Sequence, residues 1–347
     1  MLHEPIPLFL NSLILNSLTP FALKKQFLVA VLFIPLSAFS FGGDVLMVVK
    51  GQVTTMLGAG INTGPFAGAS PGDSIEYRIE LQTPGQPSGT DSEWYDHDVE
   101  RTEVRMGSNV IANPMPGSTP QFVIANDATS GGPVEDSVRG SLGFNFEWRT
   151  VFGIQLPSNT FATTDLTQVA GLYPLGSGAS GEFTDWNWFD GFLIDFSELE
   201  IIVLGTIGTS YCSSALPNST GLAGFVESRG TTRVQYQRTE IEALQLPANQ
   251  IGFFIGSQTQ GLVMNPGNYQ GALCLGGAIG RFDGPGQVQS SGAAGRIALE
   301  LDWTQIPQPT GPVMAQAGET WNIQLWHRDA NPGPTSHFTN AVSLLLD

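Results

Sequence analysis

The chain has 347 residues, a formal net charge of -17 at pH 7, 42 glycines and 23 prolines. This length favours two domains with separate cores, and the many glycines and prolines favour short strands joined by tight turns. The strong negative charge, with only scattered cations, excludes a nucleic-acid-binding protein and disfavours contact with anionic membranes, because both partners are themselves negatively charged.

Residues 1–40 are predicted to be a leader that ends in a secretory signal peptide. Lys24 and Lys25 precede the apolar run "FLVAVLFIPLSAF", and small residues follow it, which is the order of such a peptide. We expect cleavage after Ser40. A retained membrane anchor is the alternative, but Pro35 breaks the run, which is shorter than the roughly 20 residues that span a bilayer. The sequence therefore predicts a secreted or cell-surface protein whose mature chain does not insert into the membrane.

Residues 44–204 are predicted to form an N-terminal β-sandwich domain. Apolar and polar residues alternate in its clearest segments, as expected of half-buried strands. The segment "SLGFNFEWR" is interpreted as a single strand, and "TTDLTQVAGL" as a short helix capped by Thr164 or Asp165. The predicted inward faces are Ile75, Tyr77, Ile79 and Leu81; Leu142, Phe144, Phe146 and Trp148; and Phe192, Ile194 and Phe196.

Residues 205–210, "GTIGTS", are predicted to be a linker, and residues 211–347 a second β-sandwich module. Alternation continues in "GRIALELDW" and "ETWNIQLWHRD", and "AVSLLLD" is predicted to be the last strand. By parity, His327 falls on the inward face of its strand. The inward residues are predicted to be Ile297, Leu299, Leu301 and Trp303, followed by Trp321, Ile323 and Leu325. Two antiparallel sandwiches in tandem, of jelly-roll or immunoglobulin-like type, are the simplest all-β architecture for this pattern.

Cys212 and Cys274 are the only cysteines. In an exported chain they are expected to form a disulfide, and two separately buried thiols are the alternative.

The second half also resembles a known kind of module. The segments "YCSSALPNSTG", "SQTQGLVMNPGNYQGALCLGGAIGRF" and "TGPVMAQAGETWNIQLWHRDANPGPTSHFTNAVSLLL" are similar to an uncharacterised β-rich module at the C-termini of large secreted proteins of environmental bacteria. The resemblance covers about residues 209–347. It implies a disulfide between Cys212 and Cys274 and an accessory role, and it supplies no active site.

The first half shows a fainter resemblance. The segment "KGQVTTM" with "PFAGASPGDSIEYRIEL" is similar to exported bacterial β-domains that often precede a C-terminal sorting signal. In this chain the second module, and not a sorting helix, is expected to follow this domain.

Motifs for nucleophilic and phosphoryl-transfer chemistry lack their required context. "GASPG" fits a nucleophile elbow around Ser70, but such an elbow needs a helix after it, and here a strand follows. "HRD" at 327–329 lacks the asparagine of a kinase catalytic loop, because Pro334 stands at that position. Neither motif predicts an enzyme.

His327, His337 and Asp329 could supply nitrogen and oxygen ligands to zinc. The rigid turn "NPGPT" lies between the two histidines, and an aspartate before Asn-Pro-Gly more often stabilises the turn itself. The sequence therefore favours a strand end and turn over a metal site.

The loop "TDSEWYDHDVE" is the most acidic cluster. Its alternating carboxylates could wrap a hard cation such as calcium, although the glycine of an EF-hand loop is missing. A solvated acidic loop is the favoured interpretation, and calcium is the only cofactor that the sequence suggests. The candidate ligands are Asp91, Glu93, Asp96, Asp98 and Glu100.

Trp186 and Trp188 share strand parity in the run "DWNWFDGF" and could stack on sugar rings or belong to the core. Asp185 and Asp190 lie beside them, with Glu182 nearby, so carboxylates for glycoside hydrolysis are the serious enzymatic alternative. The favoured hypothesis remains a non-enzymatic structural or adhesive protein of the cell surface or extracellular space. The alternative is a carbohydrate-binding protein, either a glycoside hydrolase or its accessory. Polysaccharide and cell-surface protein are the expected partners.

Overall fold

The computed structural model describes residues 45–59, 61, 66–88, 90–112, 122–128, 135–144, 148–185, 190–212, 215–330 and 333–347. The leader lies outside these residues, and residues 40–347 form one compact unit. The all-β prediction is confirmed, because the described residues form antiparallel sheets and no α-helix. Two short 3-10 helices are present at Val234–Tyr236 and Pro266–Asn268. No helix in this part of the chain is long and apolar enough to span a membrane.

The first half contributes a 12-stranded antiparallel sheet in the order β3-β4-β7-β8-β9-β11-β12-β1-β2-β5-β6, with β10 paired to β12. Its strands are β1 Val45–Leu57, β2 Ser74–Leu81, β3 Gln86–Pro87, β4 Ser92–Tyr95, β5 Glu103–Met106, β6 Asn109–Ala112, β7 Phe122–Ala128, β8 Glu135–Phe144, β9 Trp148–Pro157, β10 Gly171–Pro174, β11 Ser180–Asp185 and β12 Gly191–Val203.

This sheet folds over one apolar core, because inward side chains of strands that are not neighbours meet there. The hydroxyl of Tyr77 on β2 lies 2.8 Å from Thr150 Oγ1 on β9. The Tyr77 ring also lies 5.7 Å from the rings of Phe152 and Phe196. Strands β1, β12 and β11 separate β2 from β9 in the sheet. The predicted inward face of β2 is confirmed, since its members are at most 2% exposed: Ile75, Tyr77, Ile79 and Leu81.

Two local predictions for this half were wrong. "SLGFNFEWR" is not one strand, because Phe144 at the end of β8 pairs with Trp148 at the start of β9 and the two strands run antiparallel. Phe146 lies outside the described residues. The predicted helix near residue 165 is a single turn, in which Asp165 Oδ1 accepts hydrogen bonds from the Thr167 amide and hydroxyl at 2.9 and 2.7 Å. The predicted capping residue Asp165 is therefore present, but the turn does not continue into a helix, and the chain enters β10 at Gly171.

The described residues of the second half form three sheets. Strands β13, β15, β16 and β22 form a four-stranded sheet, β14, β24, β23, β17, β20 and β21 form a six-stranded sheet, and β18 and β19 form a hairpin. The bounds are β13 Gly205–Thr206, β14 Thr209–Tyr211, β15 Phe225–Gly230, β16 Thr239–Leu244, β17 Ile251–Ser257, β18 Thr259–Met264, β19 Ala272–Gly276, β20 Gly280–Arg281, β21 Gln289–Ser290, β22 Ile297–Glu300, β23 Thr320–Asp329 and β24 Thr335–Leu345.

The four-stranded and six-stranded sheets share one core. Ile241 from β16 belongs to the same buried cluster as Phe254 from β17 and Trp321 from β23. Trp303 also lies in this cluster, but β22 ends at Glu300, so Leu301 and Trp303 pack from the turn that follows. The last predicted strand is confirmed as part of β24.

The hairpin of β18 and β19 covers the other face of the six-stranded sheet. Leu275 on β19 packs with Ile255 and Phe338 from that sheet. A disulfide joins Cys212 to Cys274 on β19, with their Cα atoms 6.2 Å apart, which lies within the usual range for disulfides. The predicted disulfide is therefore confirmed, and it fastens the hairpin to the residues after β14.

The segment predicted as a linker, residues 205–210, contains β13 and the start of β14, which pair with β15 and β24. Ionic contacts also join the two halves next to it. Arg238 Nε lies 2.5 Å from the buried Glu80 Oε1, and Arg101 lies between Glu80 and Glu300 at 3.9 and 3.7 Å. An apolar cluster accompanies these pairs: Leu46, Val48, Leu204 and Tyr236. The division into two domains stays a prediction.

Candidate functional site

Two of the five predicted calcium ligands in the acidic loop, Glu93 and Asp98, are held by their own neighbours. Asp98 Oδ1 accepts hydrogen bonds from the amides of Glu100 and Arg101 at 2.9 and 3.3 Å, and so caps a turn. Glu93 accepts a hydrogen bond from the Tyr95 hydroxyl at 2.7 Å. Asp91, Asp96 and Glu100 are exposed. Within the described ranges, no three histidine, cysteine, aspartate or glutamate side chains are grouped so that they could hold a metal ion.

His327 and His337 face each other on β23 and β24, with ring centroids 5.8 Å apart. His337 Nε2 lies 3.0 Å from Asp329 Oδ2. Both oxygens of Asp329 accept hydrogen bonds from the Ser219 amide, at 3.2 and 3.0 Å. The buried aspartate thereby joins the loop that precedes β15 to the end of β23. The cluster stabilises the fold at the place where the sequence predicts a strand end and a turn.

The tautomer of His327 follows from its contact with the backbone. Nδ1 lies 3.0 Å from the carbonyl oxygen of Arg328, which can only accept a hydrogen bond, so Nδ1 carries the proton. Burial lowers the pKa of His327 to about 4. The ring is therefore neutral at pH 7.

Asp185 and Asp190, the predicted carboxylates of the carbohydrate site, lie at the end of β11 and immediately before β12. Asp185 Oδ1 accepts a hydrogen bond from the Asp190 amide at 3.2 Å, and Asp190 Oδ1 accepts one from the Ala59 amide at 2.7 Å. Both carboxylates thus have a local structural role. Trp186 and Trp188 lie outside the described residues.

A groove of about 730 Å³ crosses the outward face of the first sheet over β8, β9, β11 and β12. We call it the outer groove. The register of the four strands places its outward side chains in two parallel rows. The first row is Arg139, Gly153, Ser180 and Asp195, and the second is Ser141, Val151, Glu182 and Leu193. The groove therefore has one cation and two carboxylates around hydroxyl groups and a partly apolar floor.

Gly153 leaves a gap in the first row because it has no side chain. A Cβ atom built at Gly153 would meet no other atom within 4 Å. By contrast, a Cβ atom at the inward-facing Gly140 or Gly181 would overlap the buried rings of Phe152 or Phe196. Packing of the core thus explains those two glycines and does not explain Gly153.

Glu182 lines the outer groove and interacts with an opposite charge, Arg149, which does not line it. Partial burial raises the pKa of Glu182, while Arg149 on the neighbouring strand lowers it. The pKa of Arg149 is in turn lowered by its own burial, with Glu182 and Asp185 opposing that change. The carboxylate of Glu182 can accept hydrogen bonds from a polar ligand in the groove.

The second candidate surface is on the hairpin. Leu262, Val263 and Met264 of β18 are 66%, 50% and 54% exposed, and we call them the hairpin surface. Residues 243–280, which include the whole hairpin, contain no Asp, Glu, Lys, Arg or His. In a chain with a net charge of -17 this stretch is unusual. Exposed apolar groups without nearby charges are typical of surfaces that contact another protein.

Sequence reasoning missed both surfaces. The uncharged stretch 243–280 could have been found by following charge along the chain. The outer groove gives no comparable signal, because its rows come from four strands whose register is set only in the folded sheet.

Comparison with known proteins gives no match: none is found among family models, curated proteins or solved structures. The fold defines the protein as an antiparallel all-β protein with two candidate contact surfaces. The resemblances of its two halves to secreted bacterial modules stay predictions.

Proposed function

We propose that this is a non-enzymatic structural or adhesive protein that acts at the cell surface or in the extracellular space. The observation that carries the proposal is the hairpin surface, in which three consecutive residues have exposed apolar side chains, within an uncharged stretch and on a hairpin fastened by a disulfide. Burying a leucine side chain of this kind in a contact contributes about 1.5–3 kcal/mol. Such a surface supports attachment to a protein.

The disulfide also supports action outside the cytoplasm. Disulfides form and persist mainly in oxidising compartments, and the N-terminal sequence has the order of a signal peptide. The polar groups that most resembled catalytic ones have structural partners instead: Asp185, Asp190 and Asp329 accept hydrogen bonds from the backbone amides of Asp190, Ala59 and Ser219, respectively. These contacts favour a binding role over a catalytic one.

The proposal is tested by attachment of protein-coated beads to cells that produce the protein. We expect wild-type beads to attach and Leu262→Lys beads to attach at least tenfold less, because a lysine would place charge in the apolar contact. Val288→Lys is the matched control, since Val288 is also exposed but lies outside the hairpin. Equal attachment of beads carrying either variant, or no attachment of wild-type beads, would contradict adhesion through this surface.

A further inference from the structure

We propose that the outer groove is a binding site for an uncharged polysaccharide, whose chain lies across the strands of the first sheet. The groove is separate from the hairpin surface and is carried by different observations. It therefore adds a ligand class to the adhesive function and can be tested independently.

The first argument is the unexplained glycine. Glycine in the interior of a strand weakens the strand and often marks a place where a ligand approaches the backbone closely. Gly153 lies in the middle of β9 with open space where its side chain would be, and it has no positive φ that would require glycine. Neither core packing nor backbone conformation therefore accounts for it, whereas access of a ligand to the floor of the groove does.

The second argument is size and direction. The row from Arg139 to Asp195 crosses three strand spacings, which is about 14 Å at the usual 4.7–4.9 Å between strands. The groove volume of about 730 Å³ lies within the range of small-molecule sites. An extended chain of linked sugar rings fits such an open trough better than a compact ligand does.

The third argument is the chemistry of the wall. Asp195 and Glu182 accept hydrogen bonds from sugar hydroxyls, Arg139 donates them, and Ser180 can do both. Val151, between Ser141 and Glu182 in the second row, offers an apolar contact for the C–H faces of a sugar ring. A polyhydroxyl ligand satisfies this mixture of donors and acceptors without bringing a charge of its own.

The charge of the protein selects among polysaccharides. Two carboxylates line the groove, and the chain as a whole carries -17. A polyanion such as alginate or pectate would be repelled both by the wall and by the surrounding field. Uncharged chains such as β-glucan, galactomannan or starch are not repelled.

The experiment is native electrophoresis of the purified protein through gels that contain soluble β-1,3-glucan, galactomannan, starch, alginate or pectate. We expect at least one uncharged polysaccharide to retard the wild-type protein, and neither polyanion to do so. Gly153→Val should weaken retardation at least tenfold in apparent Kd, because its side chain fills the trough. It should leave the melting temperature unchanged or higher, because valine suits a strand better than glycine does.

Gln155→Val is the matched control. Gln155 is exposed on the same strand, two residues from Gly153, and does not line the groove. This variant should be retarded like the wild-type protein. Glu182→Gln is a second test that keeps the shape of the side chain and should weaken retardation by removing one charged acceptor.

The proposal is overturned if no uncharged polysaccharide retards the wild-type protein, if Gly153→Val is retarded equally, or if only the polyanions bind. The Leu262→Lys variant separates this result from the adhesive proposal. It should keep its retardation by polysaccharide while it loses attachment to cells, so either activity can fail without the other.

Discussion

Replacement of Glu80 by Gln should stabilise the protein at neutral pH. Glu80 is completely buried on β2, with Arg238 Nε at 2.5 Å and Arg101 Nη1 at 3.9 Å. Burial raises its pKa from 4.5 to about 7; Arg238 and Arg101 oppose this rise, and Asp98 adds to it. The cost of burying the charge therefore exceeds the attraction of the two arginines.

The sign of the pH dependence follows from this raised pKa. Below pH 4.5 the carboxyl is protonated in both the folded and the unfolded protein, and it makes no difference to stability. Between pH 4.5 and about 7 the unfolded chain loses the proton and the folded protein retains it, so stability falls as pH rises. The shift of about 2.5 units corresponds to about 3 kcal/mol. Gln resembles the protonated carboxyl, so Glu80→Gln should gain about this amount at pH 8 and nothing at pH 4.5.

His327 changes stability in the opposite direction over nearly the same range. Its folded pKa of about 4 lies below the ordinary 6.5, so its contribution is complete above pH 6.5 and is lost as pH falls towards 4. In the wild-type protein the contributions of Glu80 and His327 nearly cancel between pH 4.5 and 6.5. Because the Glu80 contribution is then uncompensated, His327→Asn should become more stable as pH falls from 6.5 to 4.5, since the neutral asparagine cannot take up a proton.

The measurement is urea unfolding from pH 4.5 to 8, with the free energy extrapolated to water and each variant compared with wild type at the same pH. Glu300→Gln is the control for Glu80→Gln, since Glu300 also faces Arg101 but its side chain is 47% exposed, and it should change little. The reasoning is refuted if Glu80→Gln is less stable than wild type at pH 8. That result would show that the ion pairs with Arg238 and Arg101 outweigh burial.

Two further predictions concern the disulfide and the acidic loop. Reduction of Cys212–Cys274, which are separated by 62 residues, should lower stability by about 4 kcal/mol and reduce the melting temperature; titration of two reactive thiols in the unfolded, unreduced protein would contradict the bond. The melting temperature should be the same in millimolar calcium and in chelator, because neighbouring groups hold Asp98 and Glu93; a rise of several degrees with calcium would instead indicate a bound ion.

Much of the fold could be predicted from alternation alone. On β12, Phe192, Ile194 and Phe196 are buried as parity predicts, whereas Leu193, Asp195 and Ser197 are exposed. The pattern succeeds here because only one face of this part of the strand is covered by a core.

The same pattern fails where a strand is covered on both faces. Arg78 and Glu80 occupy the polar positions of β2, yet both are buried. Glu80 is buried because it pairs with Arg238, which belongs to a distant part of the chain. No local pattern indicates which polar face will meet a second part of the same protein.

The alternation of apolar and polar residues also cannot distinguish one long strand from two successive antiparallel strands, because the same residues face the core in both cases. Leu142 and Trp148 have the same parity whether the chain continues or reverses, and β8 and β9 reverse between them. The outer groove depends on this reversal, because it places Arg139 beside Gly153.

The central position of β1 has a consequence for the order of folding. Val45 pairs with Leu81 on one side and with Val203 on the other, so one edge of this strand stays open until β12 has been synthesised. The strand begins with the apolar segment "VLMVV". Until β12 pairs with it, the open edge of this segment can pair with other chains, which favours aggregation. Pairing over such sequence distances is slow, so this edge of β1 stays open for longer than the edge of a strand that pairs within a hairpin.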